Sequence, residues 1–257
     1  MVPKPEEVRI YPATRTLDRG NARQEINPPD MNALEVALAL KERHGGRVSL
    51  LSMGPPFVIP YLRVGLGMGA DHVYLLSDRA FGAADTLATS YTVARGIERI
   101  GAFDLVLCGE ESSDGATAQV PPGIAEWLDI PQVTYVSELT LEGGRLHARR
   151  DIRGGYEVIA TGLPALASVT SGANEPRFLE FGGWDWAGDL SAVTVWAAAD
   201  LAADPEMVGL AGSATAVAGV RSAGSVDRKR ERISGTPEEM AWTLFERIRE
   251  FLPVPGS

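Results

Sequence analysis

Residues 47–76 read RVSLLSMGPPFVIPYLRVGLGMGADHVYLL, and the texture of this stretch decides the fold class. The run RVSLLSM (47–53) is apolar and of strand length, and Gly54-Pro55-Pro56 stops it. A helical stretch follows over 58–68, and HVYLL (72–76) is a second strand. Both strands carry apolar residues at successive positions, as strands do when helices cover a parallel sheet on both faces.

The same alternation continues outward in both directions. Upstream, Asn27-Pro28-Pro29-Asp30 punctuates the chain, with Asp30 as the expected N-cap of a helix. Its apolar face is Leu34, Leu38 and Leu40 with Ala33 and Ala37, and it ends at Gly45-Gly46. Downstream, residues 84–100 read as helix, DLVLC (104–108) as strand and 117–128 as helix. Strands alternating with helices across short Gly/Pro turns imply right-handed crossovers, hence an α/β fold around a Rossmann-like parallel sheet.

After Pro131 the pattern changes to short extended runs, 133–139, 145–152 and 156–161, separated by Glu142-Gly143-Gly144 and Arg153-Gly154-Gly155. These predict an antiparallel extension of the sheet, with a further strand over 163–169. Residues 182–235 are rich in Gly, Ala and Ser and read as an irregular arm. A final helix over 237–251 spaces Met240, Leu244, Ile248 and Phe251 on one face. The expected organisation is a nucleotide-binding domain over 1–181 and a C-terminal arm over 182–257.

Composition narrows the function. A net charge of −10 over 257 residues argues against a nucleic-acid binder. Cys108 is the only cysteine, and His44, His72 and His147 have no metal-ligand spacing. No run is long enough for a membrane span, and the start lacks a secretory pattern, so a cytoplasmic protein is expected. No Ser-His-Asp, Cys-His or paired-carboxylate arrangement appears, which points away from independent catalysis. The basic run DRKRER (227–232) reads as a solvated linker.

In open α/β sheets, ligands sit at the carboxyl ends of strands, where helix N-termini offer free amides. Three loops fit that position: Asn27-Pro28-Pro29-Asp30, residues 78–90 (DRAFGAADTLATS), and residues 109–120 (GEESSDGATAQV). Each alone reads as turn chemistry and an N-cap; together on one face they predict a nucleotide site.

These stretches also carry a resemblance. NPPDMNALEVALALKE, LLSMGPP, GMGADHVYLLSDRAF, ADTLATSYT, DLVLCG, D-G-x-T-A-Q-V, IPQVTYV and NEPRF resemble the beta subunit of electron-transfer flavoproteins, from Asn27 to Arg177. The resemblance implies a heterodimer with a larger alpha subunit and a C-terminal arm and terminal helix that wrap it. It also implies electron carriage between dehydrogenases and an acceptor, rather than a stand-alone enzyme. In simpler members the beta site holds structural AMP; in electron-bifurcating members it holds FAD. The D-R-A-F-x-x-A-D-T-L-A-T-S segment is more like the bifurcating kind, so FAD is expected, with AMP the alternative. Carried over by position, Asn27, Pro28, Pro29, Asp30, Met53, Gly109, Ser112, Ser113, Asp114, Gly115, Thr117, Ala118, Gln119 and Val120 line the adenosine-phosphate end. Asp85, Thr86, Thr89 and Ser90 lie toward the isoalloxazine. Asn174, Glu175, Pro176, Arg177 and the apolar anchor Phe181 dock a partner dehydrogenase or quinone-linked oxidoreductase.

Three features depart from the family pattern. An apolar strand normally precedes the segment matching Val2-Pro3, and without it a gap in the sheet is expected. Glu110-Glu111 stands where a basic residue and Gln are common, with Ala116 for an acidic residue and Pro121 for a glycine; both glutamates are expected to be solvated while backbone amides bind. Gly182-Gly183-Trp184-Asp185-Trp186 replaces a lysine-rich segment, either as an interface or as packing for the arm. Two other classes compete. An ATP-pyrophosphatase-type enzyme would need a Ser/Gly-rich loop after its first strand, and a stand-alone adenine-nucleotide module of the universal-stress type has neither NEPR nor a long arm.

Overall fold

The computed structural model describes residues 2–3, 9–10, 17–18, 24–179, 190–216 and 232–251. Contacts divide the chain into two compact units, residues 1–220 and 221–257.

The first unit begins with two short pairings. β1 (Val2–Pro3) lies antiparallel to β4 (Gln24–Glu25), and β2 (Arg9–Ile10) to β3 (Leu17–Asp18). Then come α1 (Pro28–His44), β5 (Ser49–Met53), α2 (Ile59–Met68), β6 (His72–Leu76), α3 (Thr86–Ile100), β7 (Leu105–Gly109) and α4 (Val120–Trp127). The antiparallel extension is β8 (Gln132–Glu142), β9 (Arg145–Ile152) and β10 (Gly155–Gly162); β11 (Ala165–Val169) and β12 (Val193–Trp196) follow. The second unit contains α5 (Pro237–Ile248).

The strands form two larger sheets. One is fully parallel, in the order β12-β6-β5; the other runs β10-β9-β8-β11-β7. In the second, β11 is parallel to both β7 and β8, whereas β8, β9 and β10 make an antiparallel meander. The α/β class with an antiparallel extension is thus the observed architecture. Among the described residues no strand joins β5 to β7, so the parallel sheet is interrupted between them.

Helix starts differ from expectation at α1 and at α4. α1 begins at Pro28, with Asn27 as N-cap and Pro in its first turn, so Asp30 lies inside the helix. Proline brings no N–H to a position where the donor would be unsatisfied, which lets the helix start early. The carboxylate of Asp30 is thereby released for a tertiary bond. α3 is capped by Asp85, whose Oδ1 accepts the N–H groups of Leu87 and Ala88. α4 begins at Val120 rather than 117, because Ala118 holds a positive φ of 54° that a helix cannot contain.

The apolar pattern builds several local clusters. Leu34 and Leu38 of α1 pack with Met68 and Ala70, and against Val48 and Leu50. On the other face Ile97, Ile124, Ala125 and Leu166 gather Leu51, Val106 and Cys108. The meander is anchored by Val133, Val136, Leu146, Ala148, Ala165 and Ala167. The region expected to be an irregular arm contributes β12, paired in parallel with β6 from Val193 to Trp196. A four-residue strand, VTVW, is too short to stand out by periodicity from its Ala-rich surroundings. Among the described residues no helix is long and apolar enough to cross a membrane.

Candidate nucleotide-binding face

Two helix starts and one loop meet beyond the carboxyl end of β7. Asn27 is 2% exposed, and its amide is spent on the protein itself. Its Nδ2 donates to the Glu111 carbonyl at 2.8 Å and to Asp30 Oδ2 at 3.1 Å, while its Oδ1 accepts the Ser113 N–H at 3.1 Å. Asp30 Oδ1 accepts the Gly109 N–H at 2.8 Å. A Cβ on residue 109 would lie 2.7 Å from backbone atoms of Pro29 and Asp30, so only glycine permits this approach. Asn27 and Asp30 therefore brace the turn after β7.

The loop then tightens on itself. Ser112 accepts the Ala116 N–H through its carbonyl and the Gly115 N–H through its hydroxyl. Ala116 and Ala118 both hold positive φ, 45° and 54°, a conformation costing of order 1 kcal/mol each for non-glycine residues. Ser113, Gly115, Thr117 and Gln119 are exposed; Asp114 and Val120 are half-buried. The N–H groups of Thr117 and Ala118 meet no acceptor within the described residues.

The α3 start joins the same face through one bond, Thr86 Oγ1 donating to Gln119 Oε1 at 2.8 Å. Asp85 caps α3 and, through Oδ2, also accepts the N–H and hydroxyl of Thr215 at 2.8 and 2.9 Å. Ser213 Oγ in turn accepts the Asp85 N–H. Burial alone would raise the Asp85 pKa, but the bonds from Ala88, Thr215 and Leu87 outweigh it and hold the carboxylate below its usual range. Thr89 is half-buried one turn further on. Ser90 is buried, donates to the Leu87 carbonyl and accepts the Trp127 indole N–H, while Gly123 closes against it. Met53 packs at the end of β5 with Leu76, Phe81, Leu201 and Val208.

The electrostatics of this face are set by what it lacks. None of residues 27–30, 85–90 and 109–120 is Lys, Arg or His. Glu110 turns its carboxylate to the Ser171 N–H, and Glu111 is exposed. Along those stretches an anionic ligand would meet backbone N–H groups and hydroxyls, and Arg79 is the one cation of the loop over 78–90. Beneath it, burial and then the Asp30 charge push the Cys108 thiol up to about 12, although the residue keeps partial exposure.

The segment over 174–177 lies apart from these loops, against α1. Asn32 Nδ2 donates to the Asn174 carbonyl at 2.8 Å, and Asn174 Nδ2 returns a bond to the Asn32 carbonyl at 3.1 Å. Arg177 grips Glu35 with Nε and Nη2, both at 2.9 Å, adds its backbone N–H, and reaches Glu42 through Nη1. That fork holds the Glu35 carboxylate below its usual range. Glu175 is exposed and Pro176 half-buried, and Asn174 and Glu175 border a cleft of about 400 Å³ with Val36, Leu40 and Leu139. Phe181, Trp184 and Trp186 lie outside the described residues. Phe178, just before them, is 93% exposed.

Asn32, Glu35, Ser213 and Thr215 are among the partners in these networks that escaped the sequence reading. Their bonds span 128 to 142 residues, a separation that leaves no local signal.

The electron transfer flavoprotein domain model matches residues 14–208. The electron transfer flavoprotein subunit beta of Thermoanaerobacterium thermosaccharolyticum is 43% identical over 247 residues, covering 96% of this chain and 94% of that protein. The caffeyl-CoA reductase-Etf complex subunit CarD of Acetobacterium woodii is 42% identical over 252 residues, 97% and 95% of the two chains. Protein FixA of Rhizobium meliloti is 39% identical over 245 residues, 91% and 83%. With a domain match over most of its length and such identity from end to end, the chain belongs to the electron transfer flavoprotein family, among the beta subunits.

Proposed function

We propose that this chain works as the smaller subunit of a two-chain electron-transfer flavoprotein and holds FAD on its own nucleotide face. In this reading it carries electrons between a dehydrogenase and an acceptor and takes part in flavin-based bifurcation. The observation that carries it is the braced loop: Asn27 and Asp30 fix Gly109 to Ser113, and the strained turn beyond leaves the Thr117 and Ala118 N–H groups without acceptors among the described residues.

The residues suit a dinucleotide. Gly109 admits close backbone approach, and the hydroxyls of Ser112, Ser113 and Thr117 with the free N–H groups would hold the diphosphate without a basic side chain. Asp85, Thr86 and Thr89 would border the flavin end, with Asp85 kept ionised by its N–H donors. FAD, when bound, supplies the electron-transfer chemistry; the chain supplies position, hydrogen bonds and field. The relative CarD is by name a subunit of a reductase-Etf complex, which favours a multi-subunit setting for this chain too. In that setting the arm over 182–257 wraps the larger subunit, and the Asn174–Arg177 lock with Phe181 beyond it docks the dehydrogenase or a quinone-linked oxidoreductase. The cytoplasm is the proposed location.

Co-expression with the larger subunit, acid release and chromatography of the nucleotides test the reading. Two FAD per heterodimer are expected; one FAD with one AMP would replace bifurcation by the structural-AMP alternative. Failure to pair with a larger subunit at all would favour a stand-alone nucleotide module.

A further inference from the structure

The loop over 78–86 leads from β6 into α3 and is held from two sides. On the side of the phosphate loop, Thr86 bonds Gln119. On the other it lies against residues 198–215, part of the Gly/Ala/Ser-rich stretch that has no periodic pattern.

This second segment is laced to the loop along its length. Asp78 Oδ2 accepts the Ala198 N–H at 3.0 Å. Phe81 packs with Leu201 and Val208 in one buried cluster. Gly209, at φ 56°, comes so near that a Cβ there would lie 2.0 Å from the Ala80 carbonyl oxygen. Ser213 Oγ accepts the Asp85 N–H at 2.8 Å and donates to the Gly209 carbonyl at 2.7 Å. Thr215 gives both its N–H and its hydroxyl to Asp85 Oδ2.

Two features of the loop need such a hold. Ala83 keeps φ 59°, a strained conformation that persists only where the surroundings enforce it. Gly209 against the carbonyls of Ala80 and Gly82, with Ser213 on the Asp85 N–H, supplies that enforcement. Asp85 itself caps α3 through Oδ1 alone. A carboxylate bonded through one oxygen can turn about its side-chain bonds, and Thr215 takes the second oxygen and stops the turn.

The phosphate loop has a separate support. Asn27 and Asp30 hold Ser113 and Gly109 from the start of α1, without any residue of 198–215. The two ends of the candidate site are therefore braced by different parts of the chain.

We infer that Ser213 and Thr215 are positioning residues for the flavin end of the site. They act through Asp85, whose fixed carboxylate sets where Thr86 and the first turn of α3 present their polar groups. The inference rests on the proposed FAD reading and adds to it a second brace, separate from the one at the phosphate loop. Loss of the hold lowers the fraction of molecules with a competent α3 start, and apparent affinity falls by that fraction. FAD spans both ends of the site and feels the loss; AMP ends at the phosphate loop and does not.

Titrations of the complex with the larger subunit, using FAD and AMP as probes and counting nucleotide bound beyond the first FAD, test this. Wild type is compared with Ser213→Ala, Thr215→Val and Thr215→Ser. The first two variants are expected to weaken FAD by about three- to tenfold, the effect of one hydrogen bond, and AMP by less than about twofold. Thr215→Ser keeps both donors and should match wild type with either probe. Equal weakening of FAD and AMP would make these residues general supports of the fold and overturns the inference. FAD affinity unchanged in both variants overturns it alone, with the FAD reading intact. A wild-type complex that takes AMP but no second FAD, or neither, refutes the FAD reading and the inference together. Should Ser213→Ala fail to assemble, the Thr215→Val and Thr215→Ser pair makes the same comparison.

Discussion

Asp30 Oδ1 accepts the Gly109 N–H at 2.8 Å, across 79 residues of sequence. The bond ties the first turn of α1 to the last residue of β7, and no side chain fits between them at residue 109. Gly109→Ala forces backbone apart and should cost about 1–3 kcal/mol, with loss of bound nucleotide. Asp30→Ala removes the acceptor and should cost about 1–2 kcal/mol, whereas Asp30→Asn keeps an oxygen there and should retain most of the stability. Urea unfolding with nucleotide content checks all three; Gly109→Ala matching wild type would show that the close approach is not maintained.

The Arg177 fork is the second test. Arg177→Ala leaves the Glu35 carboxylate, only 16% exposed, with the residue 177 backbone N–H but without the guanidinium, and should cost about 1–3 kcal/mol. Arg177→Lys should recover less than half of that, because an ammonium cannot make the fork. Glu35 has a folded pKa below its ordinary 4.5, so its contribution is full above that pH and is lost as pH falls through the lower folded value. Stability of the wild type should therefore fall more steeply below pH 4.5 than that of Arg177→Ala; parallel curves would remove Glu35 from the account.

Asp85 combines a helix cap with a tether to Thr215. Asp85→Ala should cost about 1–2 kcal/mol and increase proteolytic cutting near residues 213–216. Thr215→Val loses the hydroxyl bond of the tether but keeps the backbone one, so it should show a smaller increase in cutting and little of the stability loss. Equal destabilisation by both would show that the cap contributes nothing.

Cys108 carries a thiol pushed up to about 12. At pH 8 its alkylation in the folded protein should be on the order of 10³-fold slower than in the unfolded chain, from thiolate fraction alone. Reaction of folded protein at the unfolded rate would place the thiol in water.

α5 exposes Trp242 by 65%, with Phe245 beside it at 5.8 Å between ring centroids. Trp242→Ala should leave the Tm of the isolated chain within about 1 °C and weaken association with the larger subunit by tenfold or more. Sedimentation of the mixed subunits measures this; undiminished association would remove α5 from the interface.

The alternating strands and helices, the meander and the terminal helix were legible because each is a local pattern of apolar spacing and Gly/Pro punctuation. RVSLLSM and HVYLL became β5 and β6, with bounds shifted by two residues at most. The loops of the candidate face were equally visible as loops, since Gly, Asp, Ser and Thr cluster where chain reversal and capping require them. Sequence therefore determined the class of fold and the family. Tertiary structure decided the role of each residue in those loops. Asp30 looked like a cap and became a brace for Gly109; Ser90 looked like a ligand contact and lies buried against Trp127. The locks on Asn174 and Arg177 and the tether from Thr215 to Asp85 depend on segments far apart in the chain. Local propensity says nothing about such pairs, because the carboxylates and amides involved acquire partners only when packing brings them together.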